Sequence, residues 1–182
     1  LYRKASFLVD CAGQKIFPDH LSIIEAPHLV RGLGSAPFDA EGAKTSARDL
    51  VDHGVLTGYV LGSYSARRLN LPPTGNAGGV HNLSMSHQDL SFEQLVAQMG
   101  RGLIVTSLMG FGINMVTGDY SRGASGFWVE DGAIAYPVEE ITIAGNLSEM
   151  FKNIIACAAD VDRRGNIHTG SMLIESLTVA GS

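Results

Sequence analysis

The amino-acid sequence predicts an α+β fold, built mainly from antiparallel β-sheets in a barrel-like arrangement with two clear helices. Runs of β-branched and aromatic residues predict about eight to ten short strands, and turn residues connect most of them as hairpins. The few helical segments do not alternate with the strands, which argues against a doubly wound parallel sheet. Neither an internal repeat nor a low-complexity linker divides the 182 residues, so we expect a single domain spanning 1–182.

The first part of the chain is predicted to form short strands joined by turns. Residues 6–10 and 21–25 have the composition of strands, and residues 47–61 are predicted to form a hairpin around the His53-Gly54 turn. The sequence NLPPTGNAGG at 70–79 contains too much glycine and proline for a helix or a strand. We therefore expect a long loop there, and loops of this length are often functional.

Two segments carry the signals of complete helices, beside one or two helical turns at 64–69. Ser91 stands three residues before Gln94, which is the spacing of a capping box, and Gly100 closes the apolar pattern that follows. Asn146 and Glu149 repeat the N-terminal signal. An apolar stripe at helical spacing then predicts that the second helix is the longer one. Its members are Leu147, Met150, Phe151, Ile154, Ile155 and Ala158.

The second half of the chain is dominated by strand patterns. Residues 102–109, GLIVTSLM, are β-branched enough for a buried strand, and residues 171–179 are predicted to form the last strand. Between them, the stretch 117–146 contains the only tryptophan, Trp128, in a tight hairpin whose strands are predicted at 127–129 and 133–136. Asp131-Gly132 supplies the positive φ angles that a two-residue type I′ turn needs.

The glycine-rich segment 118–126, just before this hairpin, has three interpretations. Its glycines would let the backbone pass close to neighbouring strands, with Asp119 and Arg122 paired. They would equally suit contact with a ligand, or a strand edge whose open backbone pairs with an extended peptide. The residues predicted to contact such a peptide strand are Gly118, Asp119, Tyr120, Ser121, Arg122 and Gly123.

The charge balance excludes several classes of partner. The net charge is −5 at pH 7 and the 13 lysines and arginines are scattered, whereas nucleic-acid binding needs clustered basic residues. The chain has no apolar run of 18 residues and no signal-like start, so we predict no membrane association. Cys11 and Cys157 are far apart without a CxxC motif, which favours reduced thiols in a cytoplasmic protein.

Neither metal ligands nor a catalytic nucleophile are evident in the sequence. It contains no HExxH, no histidine has a helical i, i+4 partner, and His81 and His87 lie six residues apart in a loop. His168, beside Thr169, is the one histidine that we single out. A GxSxG motif is absent, and the glycine-rich segment lacks the lysine of a P-loop. We therefore assign no catalytic residue and no metal to this chain.

Several longer motifs resemble those of the PmbA/TldD family, and the resemblance extends over the whole chain. It is nearest to the PmbA branch, which is also called TldE. The motifs are YRKxSFL at 2–8, PFDxEG at 37–42, YSAR at 64–67, TGxAGG at 74–79, TGDYSRGASGFWVEDG at 117–132 and EITIAGN at 140–146.

The resemblance implies a zinc metalloprotease system. In this family a TldD–TldE heterodimer cleaves unfolded peptides that are held as extended strands in an internal cleft. The TldD subunit carries an HExxxH helix, and a cysteine of the C-terminal domain completes its zinc site, whereas the PmbA/TldE partner lacks the zinc motif. Family members are linked to the maturation of a peptide microcin and to antitoxin degradation, and an older name describes them as modulators of DNA gyrase.

Position by position, the resemblance transfers no catalytic residue to this chain. The family's HExxxH segment lies upstream of the position that corresponds to Leu1, and Thr169 stands where the TldD branch has its cysteine. Threonine is a poor zinc ligand. The resemblance therefore implies most of a C-terminal domain of the non-catalytic partner, with the N-terminal α/β domain and the zinc helix missing upstream.

Two functions from different classes follow. The first is a TldE-type subunit, without a metal of its own, that shapes a peptidase chamber together with a zinc-bearing TldD-type partner. The second is a homodimeric module that binds unfolded peptides without cleaving them, and the same glycine-rich strand would serve both. Direct contact with DNA gyrase rests only on the older family name, and the acidic charge balance does not support it.

Overall fold

The computed structural model describes residues 1–181 and confirms an α+β fold with mostly antiparallel sheets. Within these residues the sheets are open, and no helix is long and apolar enough to cross a membrane. The helices are α1 (Ser63–Leu69), α2 (Phe92–Met99) and α3 (Leu147–Lys152). The strands are β1 (Ile23–Glu25), β2 (Arg48–Asp52), β3 (Val55–Leu56), β4 (Leu83–Met85), β5 (Gly102–Met109), β6 (Asp119–Glu130), β7 (Ala133–Asn146), β8 (Ile154–Cys157), β9 (Ile167–His168), β10 (Met172–Ile174) and β11 (Thr178–Ala180).

The strands form three sheets of different size. The first has the order β3-β2-β1-β4-β9, and all its pairs are antiparallel except β4–β9. A two-stranded sheet joins β8 and β10, and the third sheet has the order β11-β7-β6-β5. The core beside the first sheet consists of Ile16, Phe17, Leu21, Val51, Leu56, Ile154 and Cys157. The inner face of the third sheet carries a separate cluster of Tyr120, Ala124, Ile141 and Ile143.

Two predictions from local sequence signals are confirmed: the turn at Asp131-Gly132 and the capping box at Ser91. Asp131 and Gly132 have φ angles of 50° and 74°, and they connect β6 to β7 as predicted, although both strands are longer than the predicted hairpin. At α2, the Ser91 hydroxyl accepts a hydrogen bond from the Gln94 N–H, and the Gln94 side chain accepts one from the Ser91 N–H. These features depend on neighbouring residues only, so the sequence alone predicts them well.

The predicted length of the second helix is wrong, because α3 ends at Lys152. Ile154 to Cys157 instead form β8, in which Ile154 and Ala156 are buried and Ile155 is exposed. Pairing with β10 satisfies the main-chain hydrogen bonds of these residues and places Ile154 and Ala156 in the interior. Their apolar pattern fits both structures, and β-branched residues favour the strand.

Three strand predictions also need correction. Residues 6–10 form successive turns, in which the Val9 N–H donates to the Ser6 carbonyl and the Cys11 N–H to the Leu8 carbonyl. Residues 171–179 are not one strand, since β10 pairs with β8 whereas β11 pairs with β7. β5 is present, but it is not buried, because it lies at the edge of its sheet.

The two cysteines confirm the prediction of unpaired thiols. Cys157 is fully buried in the first core, and burial raises the pKa of its thiol to about 11. Its Sγ atom contacts the Sδ atom of Met85 at 3.8 Å. A buried thiol with this pKa stays protonated and behaves as a small apolar side chain.

Candidate functional site

The residues predicted to contact a peptide strand lie at the beginning of β6 and in the turn before it. β6 pairs with β7 along its whole length and with β5 from Gly123 onward. The preceding loop continues the pairing on the β5 side, because the Ser121 N–H donates to the Gly112 carbonyl (2.7 Å) and the Asn114 N–H to the Asp119 carbonyl (2.8 Å). The main chain of β6 is thus occupied on both sides, and the prediction of an open edge at this strand is wrong.

The predicted pairing of Asp119 with Arg122 is also absent from residues 1–181. The Thr117 hydroxyl donates to Asp119 Oδ2 (2.6 Å), and Asn146 Nδ2 donates to Asp119 Oδ1 (3.3 Å). The bond from Asn146 connects the beginning of β6 to the end of β7. Arg122 lies on the opposite face of β6, because side chains three positions apart in a strand point to opposite sides.

A shallow surface pocket of about 310 Å³ opens where β6 begins. Its lining contains three of the six predicted contact residues, Asp119, Tyr120 and Ser121. The loop before β6 supplies the other lining residues: Phe111, Gly112, Ile113 and Asn114. The Phe111 side chain is fully exposed. Apolar walls with a few polar groups suit a single side chain of a bound peptide.

The open edge of the sheet beside this pocket is β5. Within residues 1–181 β5 pairs only with β6, so its other side presents unpaired main-chain groups. Exposed apolar side chains follow β5 and the loop after it, and we refer to them as the β5 apolar strip. They are Val105, Leu108, Met109, Phe111, Ile113, Met115 and Val116. An edge strand of this kind is suited to pair with an extended peptide.

A buried ionic network, which the sequence did not predict, holds the loop at 70–79. Glu25, only 1% exposed, accepts hydrogen bonds from Arg48 Nε (2.9 Å), Asn76 Nδ2 (2.7 Å) and the His81 N–H (2.7 Å). Arg48 also donates to Asn76 Oδ1 (2.6 Å). The strand pattern of residues 21–25 gave no signal for it, because a glutamate at the end of a short strand is usually exposed.

The sequence did not determine the roles of His81, His87 and His168. The ring nitrogens of all three lie within hydrogen-bond distance of main-chain carbonyl groups. The ring nitrogens of His81 lie 3.1 Å from the Gly34 and Gly75 carbonyl oxygens. His87 Nδ1 lies 3.1 Å from the Gln88 carbonyl oxygen, and His168 Nε2 lies 3.1 Å from that of Gly165.

Residues 1–181 do not assemble a metal site on their own. They contain no group of three His, Cys, Asp or Glu side chains that could hold a metal ion. Thr169 directs its hydroxyl to the Gly170 carbonyl (3.2 Å) and to Met85 Sδ (3.7 Å). These side chains therefore do not fit a zinc ion by themselves, and we assign them no zinc-dependent step.

Asp39 organises the loops around the buried network and makes stability depend on pH. Its carboxylate accepts hydrogen bonds from the N–H groups of Ala77, Ala43 and Glu41, each at 2.9 Å. These bonds, that of Ala77 foremost, hold the pKa of Asp39 below its ordinary value of 3.8. The stabilisation is complete above the pKa of the unfolded chain, about 4, and is lost as the pH falls through the lower pKa of the folded chain.

We expect Asp39→Asn to lower the free energy of unfolding at pH 7 and to flatten its fall between about pH 5 and pH 2. Urea unfolding followed by circular dichroism at several pH values measures both effects. Asp49→Asn is the matched control, because the Asp49 side chain on β2 is exposed. Parallel pH profiles for the Asp39 variant and the unmodified protein would contradict the role of this carboxylate.

Comparison with known proteins agrees with the resemblance read from the motifs. The family model of the PmbA/TldA metallopeptidase C-terminal domain matches residues 1–181. Metalloprotease PmbA of Escherichia coli O157:H7 is 55% identical over 181 residues, covering 100% of this chain and 40% of that protein. The metalloprotease PmbA homolog of Haemophilus influenzae is 52% identical over 183 residues, covering 100% and 41%. The chain thus spans about two fifths of the length of these relatives.

Solved structures share the fold. A protein of Bacteroides thetaiotaomicron, named as a candidate modulator of DNA gyrase, superposes with a TM-score of 0.94 at 32% identity, covering 100% of this chain and 41% of that one. TldE of Thermococcus kodakarensis superposes with a TM-score of 0.85, covering 98% and 44%, and its 23% identity supports the shared fold alone. The chain belongs to the PmbA/TldD family, as a PmbA/TldA metallopeptidase C-terminal domain.

Proposed function

We propose that this chain forms one wall of a TldD–TldE-type peptidase chamber, where it holds an unfolded peptide as an extended strand. A TldD-type subunit supplies the zinc ion and its HExxxH helix, and this chain supplies no catalytic residue. The named relatives are metalloproteases, which supports the reaction class. The complex acts in the cytoplasm, in line with two unpaired cysteines.

The observation that carries this proposal is the open edge of β5 together with the β5 apolar strip. A peptide that pairs with β5 would satisfy main-chain groups that lack a partner within residues 1–181. Main-chain pairing discriminates little between sequences, which suits a site for unfolded chains. The apolar strip adds contact with the apolar side chains that unfolded peptides expose.

In this arrangement the peptide pairs with β5, so the residues predicted to contact it at 118–123 have other roles than main-chain pairing. Asp119, Tyr120 and Ser121 contribute through the pocket at the end of the β5 apolar strip, where one peptide side chain binds. Gly118 and Gly123 act through the backbone that shapes this corner, where Gly123 pairs with Met109 of β5. Arg122 lies on the inner face of the same sheet.

Two measurements on the full-length protein test the proposal. An unstructured, fluorescently labelled peptide is incubated with the protein alone, with a TldD-type subunit alone and with the mixture, each with zinc, and cleavage is followed by mass spectrometry. We expect cleavage to require the TldD-type subunit and to be enhanced by this protein. Cleavage by this protein alone, with stoichiometric zinc bound to its own residues, would refute the assignment of the metal to the partner.

The β5 edge is tested by a pair of substitutions. Leu108→Glu places a charge on the β5 apolar strip, and Val179→Glu places one on β11, the opposite edge of the same sheet. The two side chains are 41% and 45% exposed, and each pairs with a residue of the inner-face cluster, Ala124 or Ile143, so the two substitutions are matched in exposure and in position. We expect weaker peptide binding only for Leu108→Glu. Equal affinities for the two variants would exclude β5, and tight binding without cleavage in every mixture would indicate a homodimeric peptide-binding module.

A further inference from the structure

Within residues 1–181, the side chain of Arg122 has no hydrogen-bond or ion-pair partner on an otherwise apolar face. Its neighbours along β6 on that face are Tyr120 and Ala124, both buried, and its partner on β7 is the buried Ile143. The Nε atom of Arg122 is enclosed and makes no hydrogen bond within residues 1–181. Buried polar atoms in folded proteins nearly always have a partner, so an enclosed guanidinium nitrogen without one calls for an explanation.

The charged groups of residues 1–181 do not supply that partner. Their ion pairs join Lys15 to Asp19, Arg48 to Glu25, His53 to Asp52, Lys152 to Glu149 and Arg164 to Asp162. Asp119, the acidic residue nearest to Arg122 in sequence, points to the other face and is bonded to Thr117 and Asn146. Because Nε is enclosed, a peptide carboxylate would reach the two terminal nitrogens of the guanidinium group, which can donate two parallel hydrogen bonds to it.

The position of Arg122 places it beside the edge where the peptide is proposed to bind. Leu108 of β5 pairs with Ala124, so Leu108, Ala124 and Arg122 share the inner face. Arg122 is therefore the diagonal neighbour of Leu108, within reach of a long side chain. A peptide strand added beyond β5 would continue this face, and a carboxylate near its end would come into range of the guanidinium group.

We propose that Arg122 binds a carboxylate of the peptide that lies along β5, and so fixes the register of the peptide. The carboxylate comes either from the C-terminus of the peptide or from an aspartate or glutamate side chain. This inference rests on the proposed function, because it requires a peptide at that edge. The Arg122 contact adds specificity to a site whose main-chain hydrogen bonds do not discriminate between peptide sequences.

The test uses the full-length protein with a set of fluorescein-labelled ten-residue peptides. One peptide has a free C-terminus and no acidic side chain, and its counterpart is amidated at the C-terminus. Two further amidated peptides carry either glutamate or glutamine at one internal position. Affinities are measured by fluorescence anisotropy for the unmodified protein and for the Arg122→Gln, Arg122→Lys and Arg101→Gln variants. Arg101, exposed just before β5, is the matched control.

We expect one type of carboxylate to strengthen binding by roughly tenfold to a hundredfold over its neutral counterpart, as for a hydrogen-bonded charge pair. Arg122→Gln should abolish this difference, Arg122→Lys should retain part of it, and Arg101→Gln should leave it intact. The comparison of the four peptides identifies which carboxylate is bound. Each variant is judged by the ratio of its affinities for a charged peptide and for the neutral counterpart. A general loss of stability lowers both affinities and therefore leaves this ratio unchanged.

Other outcomes would overturn the inference. Equal affinities for charged and neutral peptides, or a difference that survives Arg122→Gln, would refute a carboxylate anchor at Arg122 while leaving the proposed function in place. If Arg122→Gln lowers the melting temperature without changing the ratio, Arg122 has a structural partner elsewhere in the protein. If none of the peptides binds the unmodified protein at all, the proposed function fails together with the inference.

Discussion

Replacing Glu25 by alanine is expected to destabilise the folded protein by about 3–5 kcal/mol, the usual cost of removing one partner from a buried ion pair. The carboxylate is almost completely enclosed and accepts hydrogen bonds from Arg48, Asn76 and the His81 N–H. Without it, the Arg48 guanidinium group remains partly buried without a compensating charge. The loop at 70–79 also loses its attachment to β1, because Asn76 is the residue that connects them.

Urea unfolding at pH 7 measures this effect, and two further variants make the result specific. Glu25→Gln keeps the shape and one acceptor oxygen, so we expect a smaller loss of about 1–3 kcal/mol. Asp49→Ala removes an exposed carboxylate from the neighbouring strand and should change the free energy of unfolding by about 0.5 kcal/mol or less. If Glu25→Ala were as stable as Asp49→Ala, the network would not contribute to folding.

Gly126→Ala is expected to be the most damaging glycine substitution in β6, with a loss of about 3 kcal/mol from overpacking. A Cβ atom at Gly126 would lie far inside van der Waals contact with the Ile104 carbonyl oxygen, 2.9 Å from the Ile104 carbonyl carbon and 3.2 Å from the Thr106 nitrogen. All three atoms belong to the main chain of β5. The clash can therefore be relieved only by moving β5 away from β6, which breaks the pairing of the edge strand.

Gly123→Ala is the control for this effect in the same strand. A Cβ atom there would meet the Met109 side chain at 3.5 Å, an ordinary contact distance. We expect a change of less than about 1 kcal/mol, since alanine also loses less backbone entropy than glycine on folding. Differential scanning calorimetry of the two variants compares them directly, and similar melting temperatures would show that β5 adjusts freely.

Comparison of these two glycines explains why the sequence could not choose between its three interpretations of the glycine-rich segment. Gly126 permits close approach of a neighbouring strand, whereas the space at Gly123 is open to a small side chain. Nothing in the pattern of small residues distinguishes the two positions. Only the register between β5 and β6, with a shift between Val105 and Ser107, determines which glycine faces a carbonyl group.

The candidate site was predictable only in part, for a related reason. The motif at 117–132 contains Asp119, Tyr120 and Ser121, which line a surface pocket. The sequence did not indicate that β6 is an internal strand. Strand order depends on which segments pair across long sequence separations, and a small-residue strand looks the same at an edge and in the middle of a sheet.

Local chemistry by itself determined the type I′ turn at Asp131-Gly132, the capping box at Ser91 and the family to which the chain belongs. The turn and the capping box depend on residues that are close in sequence. The family is recognised from continuous sequence motifs. Only the three-dimensional structure showed that residues 154–157 form a strand and that β5 is the open edge. These outcomes depend on long-range pairing and burial, which outweigh local preference wherever a segment suits two structures equally well.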